Sequence, residues 1–518
     1  MAWEEGPFRL PCIRDVIPEK VKPWFFVLVA ITLQTSNVVY LSSSGNVLGT
    51  YGDLRREDLQ MCLYAAFAGM NIAFPMMWKF KFTFTTQQVL TIAFSTLIIS
   101  NIVTAYVPFV PVLLFFSFIG GFAKIWGTFE SISTINPWLA PHLNFPRFFP
   151  LLYMLILGPI YLTIIFDINL TYYTSDWRSM HYFVIGLLLV LLLFVRLFFV
   201  PFYPMGKKGW MGRDFLGFLL WALLMMQMSF VAIYGTYYDW FNSPEIRLAM
   251  GTILITAAIL FFRMHNMDDP YISWKAITYR RVPYSLFLFF VTDAMLEAPN
   301  TLQNIMTSEL LHLDGFQTNI LNYWALAGTL CGCLFSLLWM TKLHYRTLKL
   351  SFFGFGCAIT YHLIMYFLVS TTTELSDLIL PTFVRTLGYA CIYCSLTYYL
   401  KKHIPFDKFL QTLALVGVVR SGLGGSIGDA IYEHFIEMNI SKNTAMLSTF
   451  NSGLWSLGSG LSADTYSYVL FQQVLAVSIK EIWGWVLLLS IGTILVLLVM
   501  GTPAEIVSQH HPRKTQTE

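Results

Sequence analysis

The sequence predicts an all-α polytopic membrane protein, and three observations support this fold class. The 518-residue chain is 56% hydrophobic and only 12% charged, about half the charged share of an average soluble domain. Its mean hydropathy is +0.61. Fourteen stretches are apolar over the length of about 20 residues that a membrane-crossing helix needs. So few charges cannot coat a large soluble globule, which excludes soluble enzymes, nucleic-acid-binding proteins and disordered scaffolds.

The apolar stretches predict fourteen transmembrane helices in a six, two, six arrangement. We expect an N-terminal six-helix bundle over 1–205, two inserted helices over 206–270 and a C-terminal six-helix bundle over 271–518. The one long predicted loop, 436–479, is expected outside, and its second half, 466–479, has helical spacing. The predicted spans cover 22–42, 59–79, 86–107, 110–132, 146–166, 180–201, 212–234, 246–263, 281–302, 316–340, 346–369, 375–399, 408–435 and 480–501.

The distribution of Lys and Arg predicts the orientation, because cytoplasmic loops of membrane proteins carry the excess of these residues. With both termini inside, the cytoplasmic segments hold 22 of the 32, the outside loops hold six and the spans hold four. The inside set includes the pairs Lys207 and Lys208, and Arg280 and Arg281. We therefore expect a multi-pass protein with both termini in the cytoplasm.

Sequence signatures of membrane enzymes are absent. The chain has no GxxxxGK[ST] phosphate loop, no HExxH helix and no GxSxG elbow. Cys331, Cys333, Cys391 and Cys394 lie within predicted helices, where thiols usually act as small packing residues. We predict that the chain is not an enzyme and that it has no cofactor, no catalytic residue and no metal site.

Charged residues at membrane depth are the candidate functional residues, because each costs about 2.5 to 3.5 kcal/mol to insert. Asp293 and Glu297 in the ninth span are four residues apart and therefore share one helix face. Mutual repulsion and dehydration favour reversible protonation of such a pair, which a proton-coupled carrier requires. The alternative is a pair kept ionised by a buried arginine or by water outside the membrane.

Other charged residues within the spans are candidates for a cavity or a gate. Lys124 and Glu130 are six residues apart in the fourth span, too far around the helix to pair, so each is expected to meet polar partners on other spans. Asp429 and Glu433 lie near the outer end of the thirteenth span, where outside water explains them better. Arg420 precedes a glycine-rich run whose small residues allow close helix packing.

Several short motifs follow one another along the chain in a characteristic order. They are Gly158-Pro159 in the fifth span, Asp176-Trp177-Arg178 after it, Asp239-Trp240 after the seventh span, and Arg420 with Gly425-Ser-Ile-Gly428 in the thirteenth. This order resembles the fourteen-helix drug:proton antiporters of the major facilitator superfamily, the EmrB/QacA type. The resemblance implies that superfamily's fold and structural roles for Gly158, Pro159, Trp177, Arg178, Asp239, Trp240, Gly425 and Gly428.

The first half of the chain departs from the pattern of that family. The family's membrane-embedded aspartate in the first span is replaced by Asn37, in Gln34-Thr-Ser-Asn37, and the fourth-span arginine by Ser117. The first-half proton machinery is therefore expected to be disabled or relocated. The candidates for cavity or gate positions are Gln34, Asn37, Ser117, Lys124, Glu130 and Arg420.

The superfamily's internal repeat relates the fourth span to the twelfth and suggests where the machinery went. This alignment sets Ser117 against Arg385, so the arginine missing from the first half is present in the second. Our hypothesis is that Asp293 and Glu297 bind the proton while Arg385 competes for them when the proton leaves. The alternative is that Arg385 neutralises them permanently and clamps the helices together.

The resemblance implies proton-coupled efflux of lipophilic drugs or related small molecules by alternating access, across the inner membrane of a bacterial cell. Two alternatives remain open: export of one endogenous metabolite or lipid, and a non-transporting membrane scaffold or partner. The expected partners are the lipophilic substrate, protons and membrane lipid, with no nucleic acid. The resemblance further implies a periplasmic adaptor protein and an outer-membrane channel, for which 436–479 is the expected contact.

Overall fold

A computed structural model describes residues 10–141, 144–203, 206, 214–279, 281–342, 347–455 and 463–509. These ranges are almost entirely helical and contain no strand, only an isolated antiparallel bridge between Ile13 and Phe199. Lys207, Lys208 and Arg280, which contribute to the predicted orientation, lie outside the described residues.

The first eight helices, within residues 22–198, are here named the N half. The break after α1 begins at Ser36, whose backbone is extended, and precedes one turn of 3₁₀-helix over Leu41–Ser43. α5 begins with a capping box in which Thr85 and Gln88 satisfy each other's backbone N–H groups. The helices are α1 (Lys22–Thr35), α2 (Ser44–Thr50), α3 (Arg56–Ile72), α4 (Phe74–Phe80), α5 (Thr86–Tyr106), α6 (Val110–Leu139), α7 (Phe145–Thr174) and α8 (Ser179–Phe198).

Two helices, α9 (Phe215–Tyr234) and α10 (Pro244–Asn266), and the short α11 (Trp274–Thr278) lead to the C half, residues 282–509. Three π-helical segments interrupt the C half: Asp293–Glu297, Met306–Leu310 and Val418–Gly425. Its helices are α12 (Val282–Thr292), α13 (Asn300–Ile305), α14 (Gly315–Thr341), α15 (Thr347–Leu368), α16 (Ile379–His403), α17 (Phe406–Gly417), α18 (Ser426–Trp455) and α19 (Ala463–Gln509).

Each of the fourteen predicted spans overlaps at least one helix of the described residues, but several of them are not continuous helices, and the count of fourteen spans remains a prediction. In the described part of the chain, 11 helices are long and apolar enough to cross a membrane, or up to 12 if α3 and α4, which meet at 50°, form one span. The first predicted span holds only the 14-residue α1. The ninth is broken at Asp293–Glu297 and again at Pro299.

The expected long loop over 436–479 is helical in the structure, which corrects that prediction. α18 continues without interruption to Trp455, and α19 begins at Ala463, so that only 456–462 separate the two helices and lie outside the described residues. No glycine or proline stands between 436 and 452 to end α18. The helical spacing over 466–479 correctly predicts the start of α19. A contact with an adaptor protein in this region remains a prediction.

The packing of the N half is repeated in the C half. In the N half α6 packs against α1, α3 and α5, α8 packs against α5, and α7 against α1. In the C half α16 packs against α12, α14 and α15, α19 against α15, and the π segment after α17 against α12. The halves meet along α7 with α14 and along α3 with α17, two seams that the same repeat relates. The pair α9 and α10 packs on the second seam, where α9 contacts α3 and α18.

The two halves are joined tightly at one end of the bundle, here named the basic side because it carries Lys79, Lys81, Lys275, Lys342, Lys401, Lys402 and Lys408. The Tyr153 hydroxyl of α7 lies 2.6 Å from Thr397 Oγ1 of α16, beside the first seam. Asn71 Nδ2 donates to the Gly417 carbonyl at 3.3 Å across the second. At the opposite side, Glu297 in the ninth span is exposed, as are Asn304 near the end of α13 and Ser308 in the π segment that follows it.

Candidate functional site

A buried acid and an arginine meet where α12, α16 and α17 converge. Asp293 is 2% exposed, and its Oδ2 lies 3.4 Å from Arg420 Nε. Tyr389 and Tyr393, one turn apart on α16, donate to Asp293 Oδ1 at 3.1 and 2.7 Å. Arg420 Nη2 also donates to the Tyr389 hydroxyl at 2.9 Å, and its guanidinium lies 4.8 Å from the centre of the Tyr393 ring. We name Asp293, Tyr389, Tyr393 and Arg420 the aspartate cluster.

The glycine-rich run of the thirteenth span brings these helices close enough to form the aspartate cluster. A Cβ on Gly424 would lie 2.9 Å from Asp293 Cβ, and one on Gly428 would lie 2.9 Å from Ala298 Cβ. Gly425 faces Tyr64 of the N half, whose hydroxyl would be 3.3 Å from a Cβ at this position. The packing role expected for this run is therefore found at three successive contacts.

The helix break after Asp293 leaves backbone carbonyls without their usual partners. In the π-helical turn the Ala298 N–H donates to the Asp293 carbonyl at 2.9 Å instead of to Ala294, and Pro299 has no N–H to offer Met295. Side chains of other helices supply the missing donors. Tyr432 donates to Ala294 O at 2.9 Å, His362 Nε2 to Met295 O at 2.7 Å and Arg385 Nη1 to Leu296 O at 3.4 Å.

Arg385 is therefore placed differently from the sequence hypothesis, in which it competes for both acids. It is 5% exposed and lies over the Tyr361 ring at 5.9 Å. Within the described residues, no carboxylate oxygen lies within 4.0 Å of its guanidinium, whereas Arg420 contacts Asp293. Arg385 does lie near the ninth span, as the alignment of the two halves predicts. The arginine that contacts Asp293, however, is Arg420.

Glu297 and Asp429 lie between the aspartate cluster and the opposite side. Glu297 is exposed one turn beyond Asp293. Asp429 is half-buried and accepts hydrogen bonds from Thr301 at 3.1 Å and from Tyr64 at 3.3 Å. Since Tyr64 belongs to α3, Asp429 links the two halves. The sequence predicts only exposure of Asp429 to outside water and does not predict this link.

The N-half candidates line the interface of α1 with α6. Lys124 Nζ donates to Asn37 Oδ1 at 2.7 Å, and Gln34 Nε2 donates to Thr128 Oγ1 at 2.9 Å one turn nearer the basic side. Ser117, two turns from Lys124 toward the opposite side, is fully buried. Lys124 therefore meets Asn37, while Ser117 lies apart from them, and none of these residues contacts the aspartate cluster. Their role in a cavity or a gate remains a prediction.

Glu130 forms part of a separate buried network at the basic side. Its carboxylate accepts a hydrogen bond from Thr86 at 2.7 Å and lies 3.6 Å from Lys81 Nζ. Lys81 and Glu130 are both almost fully buried. As expected, Glu130 does not pair with Lys124, and its partner comes from the segment that joins α4 to α5.

The motif residues have structural contacts away from the aspartate cluster. Gly158, one residue before Pro159 in α7, faces Leu326 and Leu330 of α14 at the first seam. Trp177 Nε1 donates to Thr50 at 3.1 Å. Arg178 Nε donates to the Ala105 carbonyl at 3.0 Å, which ties the ends of α5 and α8 together. Asp239 and Trp240 both have positive φ angles, 55° and 51°, in the tight turn before α10.

Sequence reasoning missed four polar residues. In the sequence, Tyr389 and Tyr393 are only two tyrosines four residues apart in a predicted helix, and Tyr64 is only an aromatic residue in an apolar span. Nothing in these patterns predicts a contact with an acid. Asp167 in α7, just beyond the predicted fifth span, is fully buried near Ser42 and Ser43. An acid so close to the end of a predicted span gives no signal that it is enclosed.

Comparison with solved structures identifies the fold class. No protein-family model and no curated protein sequence matches the chain. The human organic anion transporter MFSD10 matches with a TM-score of 0.55 at 11% identity, over 92% of this chain and 99% of that one. A bacterial homologue of the human lysosomal transporter Spinster matches with a TM-score of 0.54 at 14% identity, over 91% and 95%.

A third solved structure matches over a similar share of the chain. The proton:xylose symporter XylE of the major facilitator superfamily matches with a TM-score of 0.48 at 14% identity, over 90% of this chain and 96% of that one. The chain has the major facilitator superfamily fold, as the repeated packing of its halves also indicates. The three matched structures are those of transporters.

Proposed function

We propose that this protein is a secondary active transporter that exports lipophilic drugs or related small molecules in exchange for protons. The observation that carries the proposal is the aspartate cluster: a buried acid held by an arginine and two tyrosines at a break in the ninth span. Ionisable residues at membrane depth commonly serve proton relays. The fold supplies two six-helix halves whose rocking exposes a central site to each side in turn.

In the proposed cycle, a proton and Arg420 compete for Asp293. Ionised Asp293 is stabilised by the guanidinium and by the hydroxyls of Tyr389 and Tyr393. Protonation removes the charge that Arg420 contacts, so the arginine is released toward the exposed side of its pocket, where it is 32% exposed. Because Arg420 lies on the π segment that packs against α12, its release loosens the contact between the ninth and thirteenth spans.

Glu297 and Asp429 provide a route for the proton. Both lie nearer the opposite side than Asp293, and Glu297 is exposed. Asp429 contacts Tyr64 across the second seam, so a change in its charge acts on the contact between the halves. The residues that join the halves at the basic side, Tyr153 with Thr397 and Asn71 with Gly417, would separate when the site opens there.

The proposal includes an organisation and a location. We assign the N-terminal bundle to 1–205, the inserted helices to 206–270 and the C-terminal bundle to 271–518. The basic side is assigned to the cytoplasm, with both termini there, in the inner membrane of a bacterial cell. A single endogenous metabolite or lipid in place of varied drugs would use the same cluster and the same cycle.

Transport by purified protein in liposomes tests the proposal. An imposed pH gradient should drive transport of a lipophilic dye, and protons should move in the opposite direction. Asp293→Asn should abolish the proton movement that accompanies dye transport. Asp53→Asn is the matched control, because Asp53 is exposed and remote from the cluster. Full proton coupling in Asp293→Asn would rule out the assigned site, and absence of any dye movement in the unmodified protein would rule out this export function.

A further inference from the structure

The N half contains a buried lysine that has no acidic partner among the described residues. Lys124 in α6 is 7% exposed, and its ammonium donates to the neutral Asn37 at 2.7 Å. In the described part of the chain, no Asp or Glu oxygen lies within 4.0 Å of it. The other buried lysines differ: Lys81 lies 3.6 Å from Glu130 and Lys22 lies 2.5 Å from Glu19. Burying a charge without a counter-ion is costly, so an anion bound beside Lys124 would stabilise its ammonium form.

The surroundings of Lys124 form a small crevice with one polar end. Its walls come from the segment that follows α1 and from α3 and α6, and the apolar side chains that line it include Leu63, Phe67 and Met70. The hydrogen bond between Gln34 and Thr128 lies one turn nearer the basic side. The crevice therefore combines an ammonium group and an amide with an apolar wall, which is the chemistry that binds an amphipathic anion. Its free volume of about 10 Å³ holds about one water molecule, so an organic anion enters only when the surrounding helices move apart.

We propose that Lys124 and Asn37 bind the anionic group of the transported substrate, an amphipathic organic carboxylate or sulfonate whose apolar part lies against Phe67 and Met70. This inference rests on the proposed transport function and names its substrate class. A desolvated ammonium forms charge-assisted hydrogen bonds that are about twice as strong as neutral ones, and the anion supplies a negative charge that no described residue provides beside Lys124. The neutrality of Asn37 is essential, because an aspartate there would neutralise Lys124 internally.

The test compares two probes that differ only in charge, 2-naphthoate and its neutral amide, 2-naphthamide. Binding is titrated calorimetrically with the full-length protein in detergent at pH 7.5. The unmodified protein should bind the acid about tenfold or more tightly than the amide. Lys124→Gln should remove this preference by weakening acid binding, while Lys124→Arg should retain it.

Asn37→Asp provides a second variant that keeps the lysine and the packing. This substitution should also remove the preference for the acid over the amide, because the new carboxylate pairs with the Lys124 ammonium group in place of the ligand. Equal affinities for the two probes, or no measurable binding of the acid, would overturn the inference. The outcome is distinguishable from that of the transport proposal: acid binding that depends on Lys124 can occur without proton exchange, and proton exchange can occur without any preference for the acid.

Discussion

The pairing of Asp293 with Arg420 predicts a large and pH-dependent effect of removing the arginine. Arg420→Gln leaves Asp293, which is 2% exposed, with only the two tyrosine hydroxyls as partners. Breaking a fully buried ion pair costs about 3 to 5 kcal/mol. Arg420 is 32% exposed, and solvent screening reduces the expected cost to about 2 to 3 kcal/mol. The cost should be smaller at pH 5 than at pH 8, because a proton can replace the arginine at low pH.

The measurement is a double-mutant cycle on the free energy of unfolding in mixed detergent micelles. Asp293→Asn, Arg420→Gln and the double variant are each compared with the unmodified protein at both pH values. We expect a coupling energy of about 2 kcal/mol at pH 8, since residues in direct contact couple by about 0.5 to 3 kcal/mol. Additive effects at pH 8, or a cost of Arg420→Gln that does not fall at pH 5, would refute the pairing.

Two further predictions concern helix packing and the basic side. Gly424→Ala places a methyl group 2.9 Å from Asp293 Cβ and should lower the free energy of unfolding by about 1 to 3 kcal/mol. Its control, Gly356→Ala, meets nothing within 4 Å and should be neutral or slightly stabilising; equal effects of the two substitutions would show that the close approach is not there. Glu130→Gln leaves the buried Lys81 without its acid and should cost about 3 to 5 kcal/mol in the same denaturation assay, and a loss below about 1 kcal/mol would contradict the ion pair.

The fold was predictable from the sequence because the bilayer imposes a simple rule. Every spanning helix needs its own long apolar stretch, and each predicted stretch overlaps a helix of the described residues, 11 or up to 12 of which are long and apolar enough to cross a membrane. The continuity of those helices was harder to predict. Pro299 in the ninth span is a visible signal of a break, since it cannot donate a backbone hydrogen bond, but the π-helical turn before it depends on partners from other helices.

The candidate site was only partly predictable. Asp293 was found because a charge at membrane depth needs an explanation, whatever its partners. Its pairing with Arg420 instead of Arg385 depends on how α16 and α17 are rotated against α12. The position of a residue along its predicted span does not determine that rotation. Arg385 finds a backbone carbonyl at Leu296 because the helix break frees it. The link from Tyr64 to Asp429 spans 365 residues and needs the folded structure.

Alternating access is the central claim, and distances between spin labels at the two ends of the bundle test it most directly. One pair of labels, at Ser42 and Ser308, reports on the opposite side, and a second pair, at Arg147 and Lys402, reports on the basic side; all four positions are exposed. When the pH is lowered from 8 to 5.5 in liposomes, we expect one distance to lengthen while the other shortens. Two fixed distances under both conditions would contradict the account and favour a non-transporting scaffold.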